Sequence, residues 1–233
     1  MKLSIVLLAL TLSRLAMTEV EIGSNTVIEE SRQVNSFTAV SIASGLHVTL
    51  AKGNAASVKL RGDDNILPLI ETEVSGDELK IHLKKDISIR ITRPIEVSIT
   101  IPSLKKISAS GGSHIVSSVG SPDAFAVEAS DASHVTVQGL NVRNLDLDSM
   151  GGSSLDLRGK ADKMKFDGSG GSLLKADALQ VTETSLEASG GTKLHMQGSS
   201  KIIGEISGGS LIYTLKSASV SVLSSGGSRV IKD

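Results

Sequence analysis

The sequence predicts an all-β fold, a single-stranded parallel β-helix, and three observations carry that reading. The first is a corner written seven times. Ser110-Gly111-Gly112-Ser113, Ser130-Asp131-Ala132-Ser133, Met150-Gly151-Gly152-Ser153, Ser169-Gly170-Gly171-Ser172, Ser189-Gly190-Gly191-Thr192, Ser207-Gly208-Gly209-Ser210 and Ser225-Gly226-Gly227-Ser228 recur at spacings of 20, 20, 19, 20, 18 and 18 residues. A unit that short cannot bury its own apolar side and must stack on its neighbours as a solenoid. The second is parity. Four residues after the first glycine position stand Ile115, Val135, Leu155, Leu174, Leu194, Ile212 and Val230, all apolar, and the residues just before them are mostly polar. Alternation of that kind puts one set inward and the other in water. The third is composition: 3 Phe, 1 Tyr, no Trp and 23 Gly in 233 residues suit a narrow coil filled by aliphatic side chains.

Each part of the repeat has a physical reason. Residues two before the first glycine position are small or apolar, and six of the seven are Ala, Gly or Ser, as converging backbones at a corner require. The Gly-Gly pairs (Gly111, Gly112, Gly151, Gly152, Gly170, Gly171, Gly190, Gly191, Gly208, Gly209, Gly226, Gly227) supply the positive φ of an abrupt turn. Asp131 stands in for one of them, and aspartate tolerates that region better than most residues. A second punctuation follows about eight residues later, at Gly120, Gly139, Gly159, Asp177, Gly198 and Ser217. Each coil therefore has at least two corners, and equivalent strands pair in parallel. The hand is expected to be right, from the bias of parallel crossovers.

Upstream, residues 37–50, 57–61, 67–74, 79–83, 87–91 and 95–101 read as less regular strands. Ser44-Gly45-Leu46-His47-Val48-Thr49-Leu50 looks like a degenerate copy of the corner. A solenoid end must be capped, so an atypical start is expected. One domain is expected over residues 27–233, irregular to about 106 and regular over 107–233. Residues 1–18 read as a signal peptide: Met1-Lys2 is a short positive start, Leu3 to Leu12 an apolar run, and Ala16-Met17-Thr18 a loose cleavage site. The protein is therefore expected to be exported to the periplasm, outer-membrane surface or exterior. The chain has no cysteine, so no disulfide is expected. Its net charge of −1 gives no case for nucleic acid.

The opening Phe37-Thr38-Ala39-Val40-Ser41-Ile42-Ala43-Ser44-Gly45-Leu46-His47-Val48-Thr49-Leu50, the stretch Ile95-Glu96-Val97-Ser98-Ile99-Thr100-Ile101-Pro102 and the run of Ser-Gly-Gly-Ser corners together resemble the bacterial autotransporter-adhesin head GIN domain family over roughly residues 35–230. Gly45-Leu46-His47 sits where such domains often carry Gly-Ile-Asn. The resemblance implies a secreted β-helix of pectin-lyase-like shape, without recognised catalytic residues, serving cell-surface adhesion. It also implies a homo-oligomer, a trimer.

Several groups invite a chemical reading. Glu128, Asp148, Asp167, Glu187 and Glu205 fall at one repeat position and would stack ~4.8 Å apart. Ca²⁺ could relieve their repulsion. Interleaved lysines such as Lys165 and Lys193 on a solvated face are the simpler expectation, so no metal and no cofactor are expected. His114 and His134 are equivalent on adjacent coils, but Ser154 follows them, so they read as ordinary exposed histidines, as does His195. The Ser/Thr column from Ser113 to Ser228 is inward by parity and reads as a structural ladder. Lys80, Lys84, Lys85, Arg90 and Arg93, with Lys105 and Lys106, form a basic segment that could meet an acidic polysaccharide or lipid phosphate, or solubilise an edge and block further strand pairing. Ser103-Leu104-Lys105-Lys106 and Ser172-Leu173-Leu174-Lys175 match Ser-x-x-Lys but lie in β sequence, where that chemistry lacks its helix. The expectation is a non-enzymatic envelope or surface protein that binds a glycan or envelope polymer. The alternative is a carbohydrate-active β-helix enzyme, a polysaccharide lyase or hydrolase, whose mark would be a groove lined by acids and an aromatic residue.

Overall fold

The computed structural model describes residues 20–233, so the signal segment read at 1–18 lies outside the described residues. The irregular part holds β1 (Val20–Ile22), β2 (Val27–Arg32), β3 (Ala39–Ile42), β4 (His47–Lys52), β5 (Ser57–Asp63), β6 (Ile70–Ser75), β7 (Glu78–Leu83), β8 (Ser88–Arg90) and β9 (Glu96–Ile101). The repeats hold β10 (Lys106–Ala109), β11 (His114–Ser117), β12 (Ala124–Ala129), β13 (His134–Ser149), β14 (Ser154–Gly168), β15 (Leu173–Lys175), β16 (Leu179–Ala188), β17 (Lys193–His195), β18 (Ser199–Ile206), β19 (Leu211–Thr214), β20 (Ser219–Ser224) and β21 (Arg229–Lys232).

These strands stack in parallel as a β-solenoid. One face runs β7, β3, β10, β12, the ends of β13 and β14, then β16, β18 and β20. The second runs β9, β4, β11, the starts of β13 and β14, then β15, β17, β19 and β21. A shorter third strip pairs Leu140–Val142 with Gly159–Ala161 and that with Leu179–Val181.

The chain passes from the first face to the second at each corner. Every paired glycine there has positive φ, from 58° at Gly226 to 81° at Gly227. Asp131 and Ala132 take the same turn at 52° and 61°. The inward positions are as the parity predicts: Ile115, Val135, Leu155, Leu174, Leu194 and Ile212 are buried in one core that runs from Phe37 to Ile212. Ser113, Ser133, Ser153, Ser172, Thr192 and Ser210 are buried as well.

The N-terminal part departs from simple succession. The coil made by β3 and β4 lies between the coil of β10 and β11 and that of β7 and β9, so the chain stacks inward, doubles outward and returns. Antiparallel strands close this end: β6 lies on β7, β5 on β9, and β2 on β5. On β2, Glu30 and Arg32 stand opposite the buried Leu60 and Val58, pair with each other, and Arg32 donates to the Leu67 carbonyl oxygen at 2.8 Å. Inward charges on an edge strand block further pairing. The strand read over 67–74 begins only at Ile70. Pro68 has no N–H to give a ladder, and Leu67–Leu69 form a 3-10 turn instead. Strands β1 and β8 form a separate two-stranded parallel sheet.

Candidate functional site

The first face carries its chemistry in columns. Ser108, Glu128, Asp148, Asp167, Glu187 and Glu205 are successive Cα partners, so the acidic row is in register. Ser41 and then Lys80 continue it toward the cap, and Leu223 follows Glu205 at the other end. Beside it runs the corner column Ser110, Ser130, Met150, Ser169, Ser189, Ser207 and Ser225. The two columns line a groove of about 770 Å³ that follows the solenoid axis from Ser41 to Ser225. Short side chains along the corner leave the surface sunk there. Two apolar groups stand on its walls, Met150 at 51% exposure and Leu223 at 70%.

The carboxylates are not equivalent. Partial burial pushes the Glu128 carboxyl up, but hydrogen bonds from Lys106 and Ser108 and the Lys106 charge outweigh it and hold the group below its ordinary value. Lys106 Nζ lies 2.6 Å from it, and Ser108 Oγ donates at 2.9 Å. Asp148 is raised, first by burial and then by the charges of Asp146, Asp167 and Glu128, with Lys165 opposing. Lys165 is spent on Asp167 at 2.7 Å. Among the described residues no lysine or arginine lies within ion-pair distance of Asp148, Glu187 or Glu205. Lys193 does not compensate this row as the sequence suggested. It stands on the second face between Leu173 and Leu211, because it follows the corner instead of preceding it. Among the described residues no three His, Cys, Asp or Glu side chains, as they stand, converge on a point that could hold a metal ion. No aromatic residue lines the groove, so it shows one of the two marks expected of a sugar-processing site.

The basic segment is divided. Lys80 stands in the acidic column and lies 3.9 Å from Glu78, and Lys106 is paired with Glu128. Lys84 and Lys85 are exposed in the turn after β7, Arg90 is in the small two-stranded sheet, and Arg93 is exposed in the turn before β9.

On the second face His114 and His134 are Cα partners, as expected, and His47 is the partner of His114 on the other side. The sequence reading looked for a third histidine only in the following coil and missed the one in the preceding coil. Aligning Gly45-Leu46-His47 with Gly112-Ser113-His114 would have placed it. His195 stacks on Tyr213 with ring centroids 4.7 Å apart. Ser172 is buried against Thr192, with their oxygens 3.3 Å apart, which suits a ladder and leaves no access for a nucleophile.

Stacked parallel strands with in-register outward columns and a groove along the axis make the chain a β-solenoid protein. More closely, the chain belongs to the family described as "Putative auto-transporter adhesin, head GIN domain", whose model matches residues 36–218. Solved structures share the fold. A "putative adhesin" from Bacteroides fragilis superposes with a TM-score of 0.83 at 21% identity, over 91% of this chain and 98% of that one. A "putative lipid binding protein" from Parabacteroides distasonis gives 0.73 at 16%, over 92% and 100%. A "putative adhesin" from Parabacteroides merdae gives 0.70 at 14%, over 92% and 99%. Identities this low establish the fold alone. No curated protein matches the chain significantly.

Proposed function

We propose that this protein is exported and serves as a non-catalytic adhesion module at the cell envelope or surface, holding an extended glycan or envelope polymer along the groove of the first face. The observation that carries the proposal is the groove itself, with a carboxylate or hydroxyl at the same position of each coil from Ser41 to Glu205. Carboxylates accept strong, charge-assisted hydrogen bonds from sugar hydroxyls or amines. Contacts repeated at one strand spacing suit a chain better than a small molecule, because each bound unit raises the effective concentration of the next. Family membership supports the adhesive role. Lys84, Lys85, Arg90 and Arg93 are the alternative contact, for an acidic polymer.

The test is a glycan and envelope-polymer binding screen on the mature protein with two sets of variants. Reversal of Asp148, Glu187 and Glu205 to lysine should abolish binding, and reversal of Lys84, Lys85 and Arg90 to glutamate should leave it intact. The opposite pattern moves the site to the basic segment. A second reading, a polysaccharide hydrolase or lyase, draws on the raised Asp148 among neighbouring carboxylates. Turnover of any polysaccharide, lost in Asp148→Asn, would establish it against the adhesive reading.

A further inference from the structure

We propose that His47, His114 and His134 form a binding site for a divalent transition-metal ion, with zinc as the reference ion. The three are successive Cα partners on the parallel strands β4, β11 and β13, and all three are exposed. Ring centroids are 4.8 Å apart in both pairs, with His47 tilted by 39° against His114 and His114 stacked on His134 at 1°. His114 Nδ1 lies 3.1 Å from the Gly112 carbonyl oxygen. A carbonyl accepts only from a protonated nitrogen, so the neutral ring of His114 has its proton on Nδ1 and its lone pair on Nε2. A backbone carbonyl holding the far nitrogen is the usual second partner of a metal-binding imidazole. The next outward column on these strands is Thr49, Val116 and Thr136, so no cation is placed there to repel an ion.

The spacing permits a three-histidine site. Adjacent strands are ~4.8 Å apart. An ion seated over the central strand is therefore offset sideways by only that distance from each outer one. An imidazole bonded through Nε2 at ~2.0–2.1 Å can cover that offset. The three rings do not converge as they stand. Rotation of His47 and His134 about their side-chain bonds brings their nitrogens to an ion on His114, and exposed side chains rotate freely on the ps–ns scale. Three neutral imidazoles leave a fourth tetrahedral position for water or a ligand group. Imidazole nitrogen selects zinc, copper or nickel over calcium and magnesium, which keeps this site chemically distinct from the carboxylate column.

The experiment is titration of the tag-free protein with Zn²⁺ by calorimetry and with Co²⁺ by visible absorption. One ion per chain is expected, at low-micromolar affinity, with the intense visible bands of tetrahedral cobalt and no competition from Ca²⁺. His114→Gln, His47→Gln and His134→Gln, each on the surface and each checked for an unchanged melting temperature without metal, should weaken binding at least 10-fold, the scale at which losses around metal sites are felt. His195→Gln should leave it unchanged. Absence of saturable binding, retention of full affinity in the His114→Gln variant, or loss of binding in Asp148→Asn instead would overturn the proposal.

Discussion

Ser153 reaches back one coil: its Oγ donates to the Ala129 carbonyl oxygen at 2.9 Å. Its single proton is thereby used, so the contact with Ser149 Oγ, also 2.9 Å, must be donated by Ser149. Ser133 makes the same reach to Ala109 at 3.0 Å, whereas Ser113, Thr192 and Ser210 donate to the residue three before them and close their own corners. The buried hydroxyl column thus does two jobs, tying coils together in the middle and pinning turns toward both ends. Ser153→Ala should cost about 1–2 kcal/mol, since it removes one bond and leaves the Ser149 hydroxyl without its acceptor. Ser154→Ala, on the outer side, should stay within ~0.5 kcal/mol. Urea denaturation checks both, and equal losses would mean that the hydroxyls do not bind the coils.

Leu155 is 0% exposed, and Ser154 beside it faces outward. Leu155→Asp should therefore prevent folding, because a carboxylate with no partner cannot be buried. Leu155→Ala should fold with a loss of about 2–5 kcal/mol. Ser154→Asp should be nearly neutral. Circular dichroism and melting curves separate the three outcomes.

Ala132 holds a φ of 61° where the other coils place the second glycine at 74–81°. The strain of a left-handed Cβ is ~1–2 kcal/mol, offset in part by the ~0.4–1 kcal/mol of extra freedom that glycine has in the unfolded chain. Ala132→Gly should therefore stabilise the protein by up to ~1 kcal/mol, read as a rise in melting temperature. Elsewhere the two glycines of a pair are constrained differently. A Cβ on Gly190 would lie 2.9 Å from the Gly170 nitrogen, while one on Gly191 would meet nothing within 4 Å. Gly190→Ala should accordingly cost more than Gly191→Ala. The reverse order would show that turn strain, and not coil-to-coil contact, limits the corner.

Glu128 and Asp148 should respond to pH with opposite signs. The Asp148 value is raised in the folded protein, so its penalty is full at neutral pH and disappears as pH falls through the folded value toward the ordinary ~3.9. Asp148→Asn should raise stability at pH 7 and lose that advantage in acid. The Glu128 value is lowered, so its contribution is full above the ordinary ~4.3 and is lost as pH falls through the folded value. Glu128→Gln should cost stability at pH 7. Both effects should be at most ~1 kcal/mol, the scale of solvent-screened charge pairs. Melting curves across pH 3–7 decide it, and effects of the same sign would contradict the charge pattern of the groove.

The corners, the inward rows and the register of the acidic column were legible because each repeats at a fixed interval. One coil's residues report on the next, and strand parity then assigns a face. The cap was not legible. Nothing local in Ala39–Ile42 or Glu78–Leu83 says that β3 lies between β7 and β10, since that order depends on where the chain crosses back and on antiparallel pairing by β5 and β6. His47 was legible only by aligning its corner with that of His114, because its coil neighbours His114 in space but is separated from it by the whole doubled-back segment. The groove also escaped notice. Five carboxylates at one position can be read from sequence, but the hollow beside them depends on how sharply the corner folds.

The solenoid conceals a length change on its third side. Leu174 pairs with Leu194 at an offset of 20 residues, yet Val181 pairs with Ser199 at an offset of 18, and the first face keeps that new offset through Ala188 and Ile206. The two missing residues are taken up between Ala176 and Val181 on one coil and Met196 and Ser199 on the next, away from both the groove and the histidine column. This side is thus a natural splice point. The strands of the first and second faces keep their pairing across the change, so the length of this side varies without moving a rung of either.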